Sequence, residues 1–135
     1  MIESAAICQI LAARYSPGNL DVGVDEADFG AYLNDLYFGE ATLTFSQTLV
    51  LRYSRFETPE RRQPQVADDC TKWFLARLKT LEPLLTKQAF LCARFTAADI
   101  SVGYALMLAQ QVPVAAAPDL GPPEPATKPP WIRKA

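Results

Sequence analysis

A short segment in the last third of the chain constrains the fold most strongly. Thr96 stands just before an apolar run and Asp99 follows three residues later, which is the spacing of a helix capping box. We expect the Thr96 hydroxyl to accept a hydrogen bond from a first-turn amide, and the Asp99 carboxylate to accept one from the Thr96 amide. Phe95 and Ile100 occupy the two positions of a hydrophobic staple, which fixes the angle at which the chain enters the helix.

The helix predicted after this start has almost no polar face. Its apolar residues lie all round the helix and include Ile100, Gly103, Tyr104, Leu106, Met107 and Leu108. A helix that is apolar on every side is normally buried among other helices. The pattern therefore predicts an all-α helical bundle in which this helix is central.

The length of the chain predicts one domain, and its composition predicts a protein of the cytoplasm. The chain has 135 residues, with 13 basic and 15 acidic side chains and a net charge of −2. Without a basic patch, nucleic acid is excluded as a partner. No apolar run reaches the roughly 18 residues of a membrane span, and the first residues lack the basic and apolar blocks of a signal peptide. We therefore expect no membrane partner either.

The side chains that most often perform catalysis are scarce. The chain has no histidine, which excludes Ser-His and Cys-His pairs, imidazole bases and histidine metal ligands. Cys8, Cys70 and Cys92 are widely spaced and odd in number, and they are interpreted as reduced, mostly buried thiols. Only Cys92, in a loop near Arg94, has the electropositive neighbour that a reactive thiol needs. We predict no catalytic residue and no metal site.

Helical periodicity continues through most of the chain before the capping box. Residues 2–14 predict a short helix, and residues 25–56 predict a long one. Polar Glu40 and Gln47 interrupt the first apolar stripe of the long helix, which comprises Phe29, Leu33, Leu36, Leu43 and Val50. A second apolar face, which indicates packing on two sides, comprises Tyr37, Phe38, Phe45, Leu49 and Phe56. Gly30 and Gly39 favour close packing or a bend.

The remaining segments contain a third helix and a proline-rich end. Residues 65–86 carry one broad apolar stripe, in which Trp73 is expected to anchor the core. Pro83 does not fit a helix interior, so we expect a kink or an end near Leu81. The last 24 residues, 112–135, contain seven prolines and predict a disordered tail.

Two motifs resemble one family. The capping-box segment, Phe95 to Leu106, is similar to the segment that opens the buried central helix in the C-terminal domain of cytosolic glutathione transferases of bacterial type. Glu3-Ser4-Ala5-Ala6-Ile7 resembles the start of the last helix of the family's N-terminal thioredoxin-like domain. The resemblance covers residues 3–111. It implies a remnant helix at 1–16, a linker at 17–24, a C-terminal helical domain at 25–111 and the tail at 112–135.

The resemblance also implies a binding site. Glu3 and Ser4 are expected to hold the γ-glutamyl end of glutathione, since a helix N-terminus offers amides and a positive dipole end to a carboxylate. Tyr32 and Leu36 are expected to line the pocket of a hydrophobic co-substrate, and the long helix is expected to contribute to a homodimer. The alternatives are a favourable helix start for Glu3 and Ser4, and plain core packing for the aromatic residues.

The sequence departs from the family pattern at both ends. In the family, a thioredoxin-like domain with the thiol-activating Tyr, Ser or Cys precedes the Glu-Ser motif, and a further helix follows the central one. We therefore expect a truncated, C-terminally divergent relative that conjugates glutathione to hydrophobic electrophiles weakly or not at all by itself. One alternative is a non-catalytic helical module that dimerises or binds a hydrophobic small molecule. The other is a relic fragment without activity.

Overall fold

The computed structural model describes residues 2–111, except for the side chain of Gln111. All regular structure in these residues is helical, which confirms the all-α prediction. The α-helices are α1 (Ser4–Tyr15), α2 (Phe29–Tyr37), α3 (Phe45–Leu51), α4 (Pro64–Leu78), α5 (Glu82–Leu85) and α6 (Ala97–Gln111). The predicted disordered tail at 112–135 lies outside the described residues.

The predicted long helix is present, but it is not uniform. Helical backbone runs from residue 29 to residue 56, a segment called the long helix below, and a π-helical stretch at Phe38–Thr44 joins α2 to α3. The Thr44 hydroxyl donates to the Gly39 carbonyl at 2.9 Å, spanning five residues. Such side-chain bonds compete with the backbone ladder and favour local distortion. Wide turns of this kind are frequent at functional sites.

Gly39 lies where the long helix crosses α6. A Cβ atom on Gly39 would approach the backbone carbonyl carbon of Ser101 to 2.7 Å, so only glycine permits this crossing. Two side chains bridge the helices near this point. The Ser101 hydroxyl donates to the Leu36 carbonyl at 2.8 Å, and the Gln47 amide donates to the Ala105 carbonyl at 2.9 Å. The crossing is thus held by close packing and by buried hydrogen bonds.

The main core lies where α1, the long helix and α6 meet. Its buried side chains include Tyr32, Leu36, Leu43, Ala98, Val102 and Ala105. The central position predicted for α6 holds on one face only. On the other face Ile100, Tyr104 and Met107 are about half exposed, since the described helices pack against one side of α6.

A kink or an end of the helix was predicted near Leu81, and the structure shows an end there. After α4 the backbone tightens into a 3₁₀ turn at Lys79–Leu81, and Pro83 then lies in the first turn of α5. Proline is tolerated there because the first-turn amides have no intrahelical acceptor. Regular α-helix therefore ends at Leu78 and begins again at Glu82.

The prediction that Trp73 anchors the core is wrong. Its side chain is 42% exposed, and the Arg77 guanidinium lies 5.3 Å from the centre of its ring. The adjacent Phe74 is 3% exposed and takes the core position. The buried side of α4 runs through Ala67, Thr71 and Phe74, so Trp73 lies at the edge of that side and not at its centre.

Candidate functional site

The residues predicted to bind glutathione lie at the start of α1. Glu3 is the N-cap residue, with extended backbone at φ −84° and ψ 116°, and Ser4 is the first residue of the helix. Both side chains are exposed, and the Glu3 side chain makes no capping hydrogen bond. The amide dipoles of the 12-residue helix give this end a partial positive charge. Glu3 and Ser4 are therefore accessible to a ligand, while their contact with glutathione stays a prediction.

A carboxylate from the long helix caps α1. The Ala5 amide donates to Glu40 Oε2 at 2.7 Å, across 35 residues of sequence. This short, charge-assisted bond satisfies one of the amides that a helix start leaves without an acceptor. Glu40 belongs to the π-helical stretch of the long helix. The contact between Ala5 and Glu40 was not predicted from the sequence. The only feature that pointed to it was Glu40 itself, a polar residue in the apolar stripe of the long helix.

Two clefts open on either side of this contact. The first has a volume of about 500 Å³, and the residues that line it include Glu3, Ala6, Tyr37, Glu40 and Phe45. The second has a volume of about 430 Å³, and the residues that line it include Ser4, Cys8, Glu40, Ile100 and Tyr104. Glu40 and Ala5 line both clefts. Two mainly apolar clefts therefore border the start of α1.

The large apolar side chains of these clefts are open to solvent. Tyr37 and Phe45 in the first cleft, and Ile100 and Tyr104 in the second, are between 44% and 56% exposed. Solvent-exposed apolar groups beside a polar helix end could contact the apolar part of a ligand whose charged head lies at α1. The sequence placed Tyr37 and Phe45 on an apolar face, but it did not identify them as site residues.

The structure places Tyr32 and Leu36 in the core. Their exposed fractions are 1% and 0%. Burial raises the pKa of the Tyr32 hydroxyl, with a smaller contribution from the Asp21 carboxylate. Within residues 2–111 this hydroxyl has no hydrogen-bond partner. The position agrees with the core-packing alternative, and a co-substrate contact for either residue stays a prediction.

The capping box at α6 is present. Asp99 Oδ2 accepts from the Thr96 amide at 2.8 Å, as predicted. The Thr96 hydroxyl itself donates to Asp99 Oδ2 at 3.2 Å, although it was expected to accept from a first-turn amide. Asp99 Oδ1 also accepts from the Leu91 amide at 2.9 Å. The box therefore joins α6 to the preceding loop as well as closing its own first turn.

The two residues predicted to form the hydrophobic staple, Phe95 and Ile100, each have other surroundings. Phe95 packs edge-on against the ring of Phe90, with 5.7 Å between ring centroids. Ile100 is about half exposed and lines the second cleft. The aromatic pair therefore stabilises the loop in front of α6, while a direct contact between Phe95 and Ile100 stays a prediction.

Cys92 is a buried free thiol, as predicted, and its position near Arg94 does not make it reactive. The side chain is 3% exposed, and burial raises the pKa of its thiol, with a further contribution from the Asp28 carboxylate. Arg94 does not activate it, because both guanidinium NH₂ groups bind Glu26, at 2.7 and 2.8 Å. That pairing lowers the pKa of Glu26 to about 2. A buried thiol with a raised pKa holds little thiolate and is unreactive.

The described part of the chain lacks two other kinds of feature, a cluster of metal-binding side chains and a membrane-spanning helix. Among residues 2–111, no three His, Cys, Asp or Glu side chains are grouped so that they could hold a metal ion. None of the helices in that range is both long and apolar enough to cross a membrane.

Comparison with solved structures identifies two proteins with a similar fold. Glutathione transferase URE2P8 from Phanerochaete chrysosporium, solved with oxidized glutathione, has a TM-score of 0.73 and 21% identity over 83% of this chain and 50% of its own. A glutathione transferase homolog from Lodderomyces elongisporus, solved with two GSH per subunit, has a TM-score of 0.69 and 20% identity over 81% of this chain and 53% of its own. The chain has a glutathione transferase-like fold.

The similarity to the two solved proteins covers only part of their length. The chain spans about half the length of the two solved proteins. No protein-family model and no curated protein matches it. At 20 to 21% identity the likeness establishes the fold. The resemblance to glutathione transferases is thus confirmed for the fold, while the bacterial-type assignment, the domain boundaries and the site residues stay predictions.

Proposed function

We propose that this protein is glutathione transferase-like and that it binds glutathione at the start of α1. In this proposal the amides of the first turn and the Ser4 hydroxyl bind the γ-glutamyl carboxylate, and the Glu3 carboxylate pairs with the γ-glutamyl ammonium. The observation that carries the proposal is the exposed α1 start between two apolar clefts, where a carboxylate already accepts from the Ala5 amide at 2.7 Å. The ligands named for the two structural relatives support it.

The proposed reaction is the conjugation of glutathione to a hydrophobic electrophile. Tyr37 and Phe45 are proposed to contact the electrophile, because both are exposed in the first cleft beside Glu3. Tyr32 and Leu36 are buried in the core and do not contact the ligand in this proposal. We expect low turnover from the chain alone, because no group at the α1 start is assigned to activate the glutathione thiol. The proposed location is the cytoplasm.

Isothermal titration of glutathione into the full 135-residue chain tests this function. Wild type and Ser16→Ala, a control at the other end of α1, should bind with a millimolar or lower Kd. Ser4→Ala and Glu3→Ala should each bind at least about fivefold more weakly, since each loses one polar contact worth about 1 kcal/mol. Equal binding by all four proteins, or no binding by folded wild type, would overturn the proposal.

A second function is favoured by the open face of α6. Ile100, Tyr104 and Met107 follow one another at helical spacing and are about half exposed. Such a stripe suits a non-catalytic module that forms a homodimer or binds a hydrophobic small molecule. Thermal unfolding with an apolar ligand separates the two functions. Stabilisation by the apolar ligand without conjugation would support the second one, whereas a homodimer is expected from either.

A further inference from the structure

We propose that Glu40 competes, within the protein, for the position of the ligand carboxylate at the start of α1. The Glu40 side chain closes this end of the helix, and glutathione binds there only when Glu40 leaves the Ala5 amide. The inference rests on the proposed function and adds a residue that determines affinity at the same site. It starts from one contact between distant elements, the 2.7 Å bond between the Ala5 amide and Glu40 Oε2.

Because of its position, the Glu40 carboxylate lies in the path of a ligand carboxylate that approaches the start of α1. Glu40 lines both clefts, and so does Ala5, the residue whose amide it binds. A carboxylate that approaches the first turn of α1 from either cleft therefore meets the Glu40 carboxylate. Both groups would accept from the same amide hydrogen, and that hydrogen can make only one short, well-aligned bond. The ligand carboxylate and Glu40 are mutually exclusive at this amide.

The charges in the clefts increase the competition. Glu3 and Glu40 both line the first cleft, and among the described residues of either cleft none is Lys or Arg. A ligand carboxylate that stayed beside Glu40 would experience like-charge repulsion at short range, without a basic side chain to offset it. Release of Glu40 removes this repulsion and frees the amide in the same movement. Glutathione affinity should therefore respond strongly to this one side chain.

The backbone of Glu40 is held while its side chain can move. The neighbouring Gly39 is packed against the backbone of Ser101 at the crossing with α6, so the π-helical stretch is fixed in place. The Glu40 side chain is only half-buried and can leave the amide by changing to another staggered rotamer. Exchange between Glu40 and a ligand thus needs no movement of helices.

Titration of glutathione into three variants tests the inference. Glu40→Gln removes the charge, and Glu40→Asp keeps the charge but is one methylene too short to reach the Ala5 amide in the same way. Asp69→Asn, an exposed change of the same charge on α4, is the control. We expect Glu40→Gln and Glu40→Asp to bind glutathione at least about tenfold more tightly than wild type, because a competing charged hydrogen bond is lost. Asp69→Asn should match wild type.

Two results overturn the inference and are distinguishable. If neither Glu40 variant binds more tightly while Ser4→Ala still weakens binding, Glu40 is not a competitor and the proposed function stands. If no protein binds glutathione, including folded Glu40→Gln, both proposals fail.

A second measurement follows the Ala5 amide itself, first in wild type and then in Glu40→Asp. In ¹⁵N-labelled protein, the Ala5 amide resonance should shift when glutathione replaces Glu40, and it should shift in ligand-free Glu40→Asp as well. An Ala5 resonance that responds to neither change would overturn the inference.

Discussion

At the starts of α1 and α6 a carboxylate side chain accepts a hydrogen bond from a backbone amide. The two carboxylates lie at very different distances along the sequence from the amides they bind. At α6 the acceptor is Asp99, which belongs to the first turn of the helix and binds the Thr96 amide at 2.8 Å. At α1 the acceptor is Glu40, which lies 35 residues from the amide it binds. The same chemical need, an acceptor for first-turn amides, is thus met once by local sequence and once by the fold.

The two caps also differ in what can replace them. Thr96 and Asp99 are buried, and Asp99 holds the Leu91 amide as well, so no ligand can reach the α6 start. The α1 start is bordered by two clefts, and its acceptor is a half-buried, flexible side chain. A buried local cap specifies a fold. A distant cap beside a cleft holds a position that a ligand carboxylate can take.

The sharpest test of this comparison is to remove both acceptors. Asp99→Ala should lower the free energy of unfolding by about 3 kcal/mol, because two buried amides lose their acceptor. Glu40→Ala should lower it by only about 1 kcal/mol, because water in the clefts can reach the Ala5 amide. Urea denaturation of the two variants and wild type measures both values. Equal losses would show that the α1 cap is as structural as the α6 cap.

A smaller effect is expected from the glycine that places Glu40. Gly39→Ala should lower the free energy of unfolding by about 2 kcal/mol, because its Cβ would meet the backbone of Ser101 at 2.7 Å and α6 must shift. Gly30 is the matched control, since a Cβ there meets nothing within 4 Å. Gly30→Ala should stabilise the helix by about 0.5 kcal/mol. Urea unfolding in which both substitutions had the same sign would contradict the close crossing.

The smallest effect concerns the loop that leads into α6. Arg94 binds Glu26, whose pKa falls from its ordinary 4.5 to about 2, mainly through this hydrogen-bonded pair. A carboxyl with a lowered folded-state pKa adds stability that is fully present above pH 4.5 and is lost as the pH falls through about 2. Wild type should therefore exceed Glu26→Gln in stability at pH 5, and the difference should shrink towards pH 2.

Urea midpoints of the two proteins at several pH values measure that difference, with Asp69→Asn as a control for the change in charge. A difference that is constant between pH 5 and pH 2 would show that the pair does not hold the loop.

The helices could be predicted from the sequence because their signals are local. Apolar periodicity, the turn residues and Pro83 predicted the helices and the break near Leu81, and the spacing of Thr96 and Asp99 predicted the cap of α6. The surroundings of individual side chains were harder to predict from the sequence. Trp73 was misjudged because the exposure of a side chain depends on which elements pack together, and sequence spacing does not contain that information.

The sequence by itself determined that this chain forms helices, where most of them begin and end, and that α6 begins with its own cap, because these features depend on residues within one or two turns. Only the tertiary structure decided what the two polar interruptions of the long helix do. Glu40 binds the Ala5 amide, and Gln47 binds the Ala105 carbonyl. Both contacts join residues far apart in the chain, so they exist only after the helices have packed, and the candidate site is built around the first of them.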